Sequence, residues 1–304
     1  VLEMADGNGS LLGASCAACL AAAGVAWAMY RRTPVDTSIR SLNVVVTGST
    51  RGLGFALARH HLLRGDSVVL SGRTASAVES ARAALTPVAN FPGQKLVGHV
   101  CDVASPSGCD SLASEAKRAL GGIDLWINNA GATQHPKAPL ADTPVETIQS
   151  VVGTNLLGTI FGCRAALRVM LEQGHGCVVN IDGRGSRGGA SPQSAAYGAS
   201  KAAIPQLTKS LAKELKGTGC FVHTASPGMV MTDLLLTEAS PASLKIFNIL
   251  AETPDTVAAW LVPRMRAATD QPSGMYLHYL TPFGVAWRFA TAPWRTDQLI
   301  KVLP

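Results

Sequence analysis

Between Leu42 and Leu280, short β-rich apolar runs alternate with helical patterns. Strands and helices that alternate in this way form βαβ units, which build a parallel sheet with helices on both faces. The sequence therefore predicts an α/β fold with a doubly wound parallel sheet in a single domain. The predicted strands are Asn43–Thr47, Val68–Ser71, Leu96–Val100, Leu125–Asn128, Cys177–Ile181 and Phe221–Ala225, with Met275–Leu280 as a seventh strand at the edge.

The predicted domain covers residues 41–282, between an N-terminal extension at residues 1–40 and a C-terminal tail at residues 283–304. The extension contains an uncharged run from Leu11 to Tyr30, followed by Arg31 and Arg32. A basic flank after such a run is typical of a membrane-inserting or targeting helix. Because the run is rich in alanine, a peripheral helix, a remnant of a transit region and disorder are alternatives.

Charge and cysteine content exclude several classes of function. The net charge is +6, but only 15% of the residues are charged and no dense basic block is present. Nucleic-acid binding is therefore not expected, whereas weak attraction to an anionic cofactor or membrane surface is. The seven cysteines are scattered and odd in number, which indicates a reducing compartment. The sequence contains no HExxH pattern and no zinc-ribbon spacing, so no metal site is expected.

A glycine-rich segment connects the first predicted strand to a helix. Glycines at such a junction let the backbone approach a pyrophosphate, whose charge is met by free N–H groups at the helix N-terminus. The order strand, glycine-rich loop, helix predicts a dinucleotide site in a Rossmann-type sheet. The segment consists of Thr47, Gly48, Ser49, Thr50, Arg51, Gly52, Leu53 and Gly54.

The end of the second strand indicates which dinucleotide binds. A carboxylate at this position would bind the ribose hydroxyl of NAD and repel the 2′-phosphate of NADP. Here the strand ends in Ser71, Gly72 and Arg73, and Arg51 lies in the glycine-rich loop. Because guanidinium groups bind phosphate, we predict NADPH/NADP+ as the cofactor. A solvated surface charge is the alternative for each arginine.

Two further pairs of residues are candidates from the sequence alone. Asp102, with Val103, follows the third strand, where its carboxylate would accept a hydrogen bond from the adenine amino group or else cap a turn or helix. Tyr197 and Lys201 are four residues apart, so on a helix their side chains share one face. A nearby ammonium favours the phenolate, and we therefore expect it to lower the pKa of Tyr197 and make this residue a proton donor and acceptor.

Four motifs in this order resemble the short-chain dehydrogenase/reductase family, over about Leu42 to Leu280. They are the TGxxxGxG spacing, Asn128-Asn129-Ala130-Gly131, Tyr197-Gly198-Ala199-Ser200-Lys201 and Pro227-Gly228. The resemblance implies that Tyr197 protonates the carbonyl oxygen of the substrate while hydride reaches its carbon. It also implies that Lys201 holds the nicotinamide ribose and Asn155 a relay water. The further cofactor contacts it implies are Asn129, Ala130, Gly131, Pro227, Gly228, Val230 and Thr232.

Asn155 and Thr232 each have an alternative role, and the chain departs from the family at one position. Asn155 could be a buried residue that supplies hydrogen bonds where a helix is irregular, and Thr232 could cap the helix that follows. The family's catalytic serine usually lies three residues after the asparagine that ends the fifth strand, and Gly183 stands there. We predict that Ser186 replaces it, because a hydroxyl can donate to a developing oxyanion and an ionised carboxylate cannot. Asp182 is the alternative.

A narrower resemblance is to the chlorophyll b reductases of plants and green algae. It implies reduction by NADPH of the formyl group of chlorophyll(ide) b, giving 7-hydroxymethyl chlorophyll(ide) a, as the first step of chlorophyll b breakdown. It also implies a location on the stromal side of the chloroplast thylakoid membrane, contact with the light-harvesting complex, and homo- or hetero-oligomers. The stretches that carry this resemblance are Asn180–Ser186, His223–Val230, Thr232–Leu236, Phe247–Leu250, Leu261–Met265 and Tyr279–Pro282.

The apolar segment formed by Leu234, Leu235, Leu236, Ile246 and Phe247 suits a lid over a hydrophobic macrocycle, although an ordinary amphipathic helix gives the same pattern. Two other functions are compatible with the sequence. One is reduction of another bulky lipophilic aldehyde or ketone, such as a steroid or retinoid. The other is a weakly active NADPH-binding scaffold, which the missing serine favours and the complete Asn155, Tyr197 and Lys201 set opposes.

Overall fold

The computed structural model describes residues 40–236 and 241–292. The predicted helix at Leu11–Tyr30 lies outside the described residues. The strands within these ranges are β1 Asn43–Val46, β2 Ser67–Gly72, β3 Leu96–Val100, β4 Leu125–Asn128, β5 Gly176–Ile181, β6 Cys220–Ser226, β7 Met229–Val230, β8 Ala251–Glu252 and β9 Tyr276–His278. Seven of them form a parallel sheet in the order β3-β2-β1-β4-β5-β6-β9, which confirms the predicted doubly wound fold.

Ten α-helices accompany the strands in the described ranges. Proline begins several of them, because its missing N–H is one that a first helical turn leaves unpaired. The helices are α1 Gly52–Leu62, α2 Ala75–Leu85, α3 Pro106–Leu120, α4 Val145–Val152, α5 Gly158–Gln173, α6 Ala195–Glu214, α7 Asp233–Leu236, α8 Pro241–Leu250, α9 Pro254–Ala268 and α10 Pro282–Thr291.

The core consists of two apolar layers, one on each face of the sheet. Alternate residues of a strand point to opposite faces, so Trp126 belongs to one layer and Ile127 to the other. Helices α1, α2 and α9 cover the face that carries Ile127, and α3, α5 and α6 cover the face that carries Trp126. Because both faces are buried, the strands have continuous apolar sequences.

The run Val145–Gln173 joins α4 to α5 through a π-helical segment at Gly153–Leu157. Among the described helices it alone is long and apolar enough to cross a membrane by length and composition. Half of its most apolar stretch is buried inside the fold, where Met170 is fully buried in the core. Packing against the sheet therefore accounts for its apolar character.

Two features of the structure were not predicted from the sequence. The short strands β7 and β8 form a second sheet after β6. The predicted tail at residues 283–304 begins inside α10, whose Arg288 is fully buried and donates to the carbonyl oxygen of Leu250 and the carboxylate of Glu252. These bonds tie α10 to the domain, which therefore extends to at least Thr291.

Candidate active site

The glycine-rich loop lies where the strand order reverses, between β1 and β4, at the C-terminal edge of the sheet. This is the position at which open α/β sheets bind ligands. Gly48 has φ +62°, and a Cβ on it would lie 2.7 Å from the Cα of Ala130. A side chain at Gly54 would run into the carbonyl oxygen of Gly48. The two glycines therefore leave a cradle of bare backbone in front of α1.

Hydrogen bonds hold this loop against the end of β4. The Thr47 hydroxyl accepts from the backbone N–H groups of Asn129 and Ala130, at 2.9 and 3.1 Å. The Asn129 amide donates to the carbonyl oxygens of Thr47 and Gly48. Ser49, fully buried, bonds with its side chain to β1 and β2. The predicted motif after β4 therefore holds the glycine-rich loop in place through these hydrogen bonds.

Two cations flank the cradle. Arg51 is exposed and forms an ion pair with Asp233 at 3.4 Å. A Cβ on Gly72 would clash with the Thr50 side chain, which shows how closely the end of β2 packs against the loop. Arg73 follows directly and is exposed, and within the described ranges it forms no ion pair. Its guanidinium is thus available to a phosphate group beside the cradle.

The remaining cofactor candidates surround the same edge. Asp102 accepts from the backbone N–H of Ala104 at 3.0 Å, which is its alternative role in a turn, and Val103 is buried. Thr232 lies against the loop, with its methyl group 3.1 Å from the position of a Cβ on Gly52, and donates to the carbonyl oxygen of Val230. Pro227 is buried and Gly228 has φ +72°. The structure thus places these candidates around one edge of the sheet.

Tyr197 and Lys201 lie on α6, and both side chains face the end of β5. A Cβ on Gly183 would overlap the Tyr197 hydroxyl and lie 3.4 Å from Cε of Lys201. The Lys201 ammonium donates to the carbonyl oxygen of Ile181 at 3.2 Å. An ammonium has three donors, so two are left for ribose hydroxyls. The predicted pair is brought together on one helix face.

Asn155 is fully buried within the π-helical segment, where the widened turn aims its side chain inward. Its amide bonds both the N–H and the carbonyl oxygen of Ala132, at 2.8 and 2.9 Å, and donates to the Ser200 hydroxyl at 3.1 Å. Ser200 in turn donates to the carbonyl oxygen of Tyr197. Asn155 therefore links the π-helical segment to the segment after β4 and to α6, and its part in a proton relay stays a prediction.

Burial governs the titration of the pair. Burial, aided by the Asp182 carboxylate and opposed by Arg184, raises the pKa of Tyr197 to about 12. Burial lowers the pKa of Lys201 to about 8, against the opposite effect of Asp182. The expected lowering of the Tyr197 pKa by Lys201 is therefore wrong for the chain alone. The reason is that burial removes the solvation of the phenolate, while Lys201 is not among the groups that shift the pKa of Tyr197.

Ser186 lies in the loop after β5, but its hydroxyl donates to the Asp182 carboxylate at 2.8 Å. The same carboxylate oxygen accepts a hydrogen bond from the Tyr276 hydroxyl. Tyr276 is a site residue that was not predicted from the sequence, because it is 94 residues from Asp182 and belongs to none of the four family motifs. The only signal for it was its place at the start of the seventh strand.

Similarity to known proteins agrees with this geometry. Residues 42–241 match the family model described as short chain dehydrogenase. The chain belongs to the short-chain dehydrogenase family. The structure is also similar to a short-chain type dehydrogenase/reductase from Mycobacterium marinum, with a TM-score of 0.70 and 26% identity over 79% of this chain and 97% of that one.

Within this family the chain is 43% identical over 246 residues to "Chlorophyll(ide) b reductase NOL, chloroplastic" of Arabidopsis thaliana, covering 79% of this chain and 70% of that protein. It is also 43% identical over 264 residues to "Probable chlorophyll(ide) b reductase NYC1, chloroplastic" of Oryza sativa subsp. japonica. That match covers 82% of this chain and 52% of the relative. The chain thus spans about half the length of the NYC1 relatives and about 70% of the NOL relatives.

A short-chain dehydrogenase uses a nicotinamide cofactor, and the residues present fit one. The bare backbone at Gly48 and Gly54 leaves room for a pyrophosphate, and the Lys201 ammonium has free donors beside the Tyr197 hydroxyl. The cofactor, when bound, supplies the hydride. In this chain a buried phenol, that of Tyr197, stays protonated near neutral pH at the end of β5, because burial raises its pKa to about 12.

Proposed function

We propose that this chain reduces the formyl group of chlorophyll b or chlorophyllide b to a hydroxymethyl group, giving 7-hydroxymethyl chlorophyll(ide) a. The observation that carries the proposal is the buried Tyr197 and Lys201 pair beside the glycine cradle, in a chain 43% identical to proteins named chlorophyll(ide) b reductases. Tyr197 donates the proton to the carbonyl oxygen. Lys201 holds the nicotinamide ribose, and Asn155 fixes the helix segment against α6.

The proposed cofactor is NADPH. Arg73 follows β2 at the position where a carboxylate would select NAD, and its exposed guanidinium has no ion pair with any described residue. Arg51 stands on the other side of the cradle but shares its charge with Asp233. Arg73 is therefore the main contact proposed for the 2′-phosphate, with Gly48 to Gly54, Asp102, Asn129 to Gly131 and Thr232 around the rest of the cofactor.

The proposed substrate is large, flat and apolar, and large apolar side chains are exposed on the helices that follow Thr232. Leu236 on α7, Ile246 on α8 and Phe283 on α10 are 38%, 43% and 38% exposed. Such side chains suit a macrocycle that is buried only when it binds. The proposed location is the chloroplast, since the relatives are named chloroplastic, and within it the stromal side of the thylakoid membrane. Contact with the light-harvesting complex and homo- or hetero-oligomers complete the proposal.

The test is an assay of the purified chain with NADPH and either chlorophyll b or chlorophyllide b, with the pigment followed by its absorption. We expect the formyl pigment to disappear as NADPH is oxidised in equal amount. Turnover of a retinoid or steroid carbonyl, with neither pigment reduced, would contradict the proposal and favour the second reductase function. Binding of NADPH without its oxidation by any carbonyl offered would favour the scaffold.

A further inference from the structure

Asp182 places a buried carboxylate directly after β5, next to the catalytic pair. The residue is 3% exposed, and its backbone N–H donates to the carbonyl oxygen of Ala225 at 3.0 Å. This bond extends the pairing of β5 with β6 by one residue. The sheet therefore fixes the backbone of Asp182 before the loop that follows begins.

One oxygen of this carboxylate, Oδ2, accepts hydrogen bonds from two hydroxyl groups that are far apart in the sequence. Ser186 donates to it from the loop after β5, and Tyr276 donates to it from β9. Each hydroxyl has one proton, and when both protons go to Asp182 only lone pairs are left on the two hydroxyl oxygens, which lie 3.4 Å apart. Neither hydroxyl can then donate to a substrate carbonyl as the family serine does.

The other oxygen, Oδ1, is buried and has no hydrogen-bond partner in the part of the chain that the structure describes. An unpaired buried carboxylate oxygen is costly, and native proteins keep such groups mainly where a ligand or water completes them. The Tyr197 hydroxyl and the Lys201 side chain both pack around the adjacent Gly183, and the charge of Asp182 acts on the pKa of each. The unpaired oxygen therefore lies in the same candidate site as this pair.

Charged and titratable groups face this carboxylate from α6, from the loop after β5 and from β9. Lys201 lies on α6, and Arg184 and Arg187 lie on the loop after β5. His278 lies on β9, and its ring stacks on that of Tyr276 with the centroids 3.9 Å apart. Burial and Arg187 lower the pKa of His278, so its imidazole is neutral near pH 7. Among the described residues, Asp182 is thus the one carboxylate that acts on both Tyr197 and Lys201.

We propose that Asp182 is a positioning residue that takes the place of the family serine: it anchors Ser186 and Tyr276 as one wall of the site and places a fixed negative charge next to Tyr197 and Lys201. Gly183 makes this exchange possible, since a side chain there would displace the Tyr197 hydroxyl. The inference deepens the proposed carbonyl reduction and rests on it. Reduction transfers the phenol proton to the substrate, and a negative charge near the phenol favours its protonated form at the start of each turnover.

The test compares Asp182→Asn with the wild type on the carbonyl substrate, over pH 6 to about 10, with NADPH binding measured separately by fluorescence. Removing the charge removes a cause that raises the pKa of Tyr197 and of Lys201. The alkaline limb of kcat/KM should therefore move to lower pH by about one unit, and kcat/KM at pH 8 should fall about fivefold, with NADPH affinity unchanged. Asp270→Asn, the same change at an exposed residue that pairs with Arg40, should leave the profile unchanged.

A second variant covers the case in which Asp182→Asn does not fold. Ser186→Ala combined with Tyr276→Phe keeps the charge and removes both donors, so kcat should fall about tenfold while the alkaline limb does not move to lower pH. Wild-type kcat/KM and pH profile in Asp182→Asn, or wild-type kcat in the double variant, would overturn the inference. An inactive wild type would instead overturn the proposed reduction, and this inference with it.

Discussion

A Cβ atom on Gly183 would overlap the hydroxyl oxygen of Tyr197. The family's serine normally occupies this position. In this chain the hydroxyl of Tyr197 lies in the space that the side chain of such a serine would need. The loop after β5 packs equally closely further on, since a Cβ on Gly185 would lie 2.8 Å from the Cα of Gly198. The site is therefore built around a backbone with no side chain at this point.

Gly183→Ala should disturb the site through that contact. We expect kcat to fall about 100-fold or more, because the Tyr197 hydroxyl must move and proton transfer contributes about 100- to 10,000-fold to rate. NADPH binding should be little changed. Gly189→Ala, in the same loop with nothing within 4 Å of the added Cβ, is the matched control and should keep full activity. Equal activity of the two variants would show that Tyr197 is not the proton donor in this arrangement.

Tyr197→Phe removes the proton donor and leaves the ring. We expect the rate of reduction to fall by about 100- to 10,000-fold, with NADPH affinity within about twofold of the wild type. Stopped-flow measurement of NADPH oxidation separates the chemical step from binding. A variant with wild-type turnover would remove this tyrosine from the mechanism.

Arg73→Ala tests the choice of cofactor. Loss of a charge-assisted contact to the 2′-phosphate should raise the KM for NADPH by about 10- to 100-fold and leave the KM for NADH nearly unchanged. Lys216→Ala, which removes an exposed cation after α6, serves as the control. If the KM for both cofactors rose equally, Arg73 would have a structural role and the assignment of NADPH would lose its basis.

The pH dependence follows from Lys201. Burial lowers its pKa to about 8, and the residue must be charged to hold the ribose and support the phenol. We therefore expect kcat/KM to be constant below this value and to fall as the pH rises through about 8. Because bound cofactor adds its own charge, the profile should be measured at both low and saturating NADPH. An activity still rising at pH 9 would contradict the role given to the ammonium.

Stability depends on a buried ionic cluster far from the site. Asp66 accepts hydrogen bonds from Arg266 and from the backbone N–H of Leu42, and it contacts the buried His61 ring at 2.7 Å. Burial opposes ionisation of Asp66, but the bonds from His61 and Arg266 lower its pKa overall. Asp66→Asn should therefore cost about 3–5 kcal/mol in urea unfolding, since it leaves the Arg266 charge buried. This stabilisation is present near neutral pH and is lost as the pH falls through the lowered pKa.

Much of the fold could be predicted because the strands are buried on both faces. Val44 to Val46 and Leu125 to Ile127 are therefore unbroken apolar runs, and the glycine loop marks where the first of them ends. The strands β7 and β8 could not be found this way, since two residues carry no periodicity. Helix α10 was missed because its helical pattern is hidden by flanking prolines, although Arg288 anchors it.

Some features of the candidate site could likewise be predicted from the sequence, and others could not. Tyr197 and Lys201 are linked by local spacing on one helix, which a sequence displays directly. The bond from Tyr276 to Asp182 joins the ends of two strands that pair with β6 on opposite sides, and only the assembled sheet brings them together. The same is true of the raised pKa of Tyr197, because it arises from burial, which spacing does not reveal. The sequence thus predicted the spacing of the candidate pair but not the buried carboxylate next to it.

Following the hydride tests the proposed reduction in a single experiment. The purified chain is incubated with chlorophyllide b and NADPH carrying deuterium at the transferable position of the nicotinamide ring, and the pigment is analysed by mass spectrometry. The proposed mechanism predicts a hydroxymethyl product with one deuterium on the former formyl carbon, formed by the wild type and not by Tyr197→Phe. Recovery of unreduced pigment, or of a reduced product without deuterium, would contradict it.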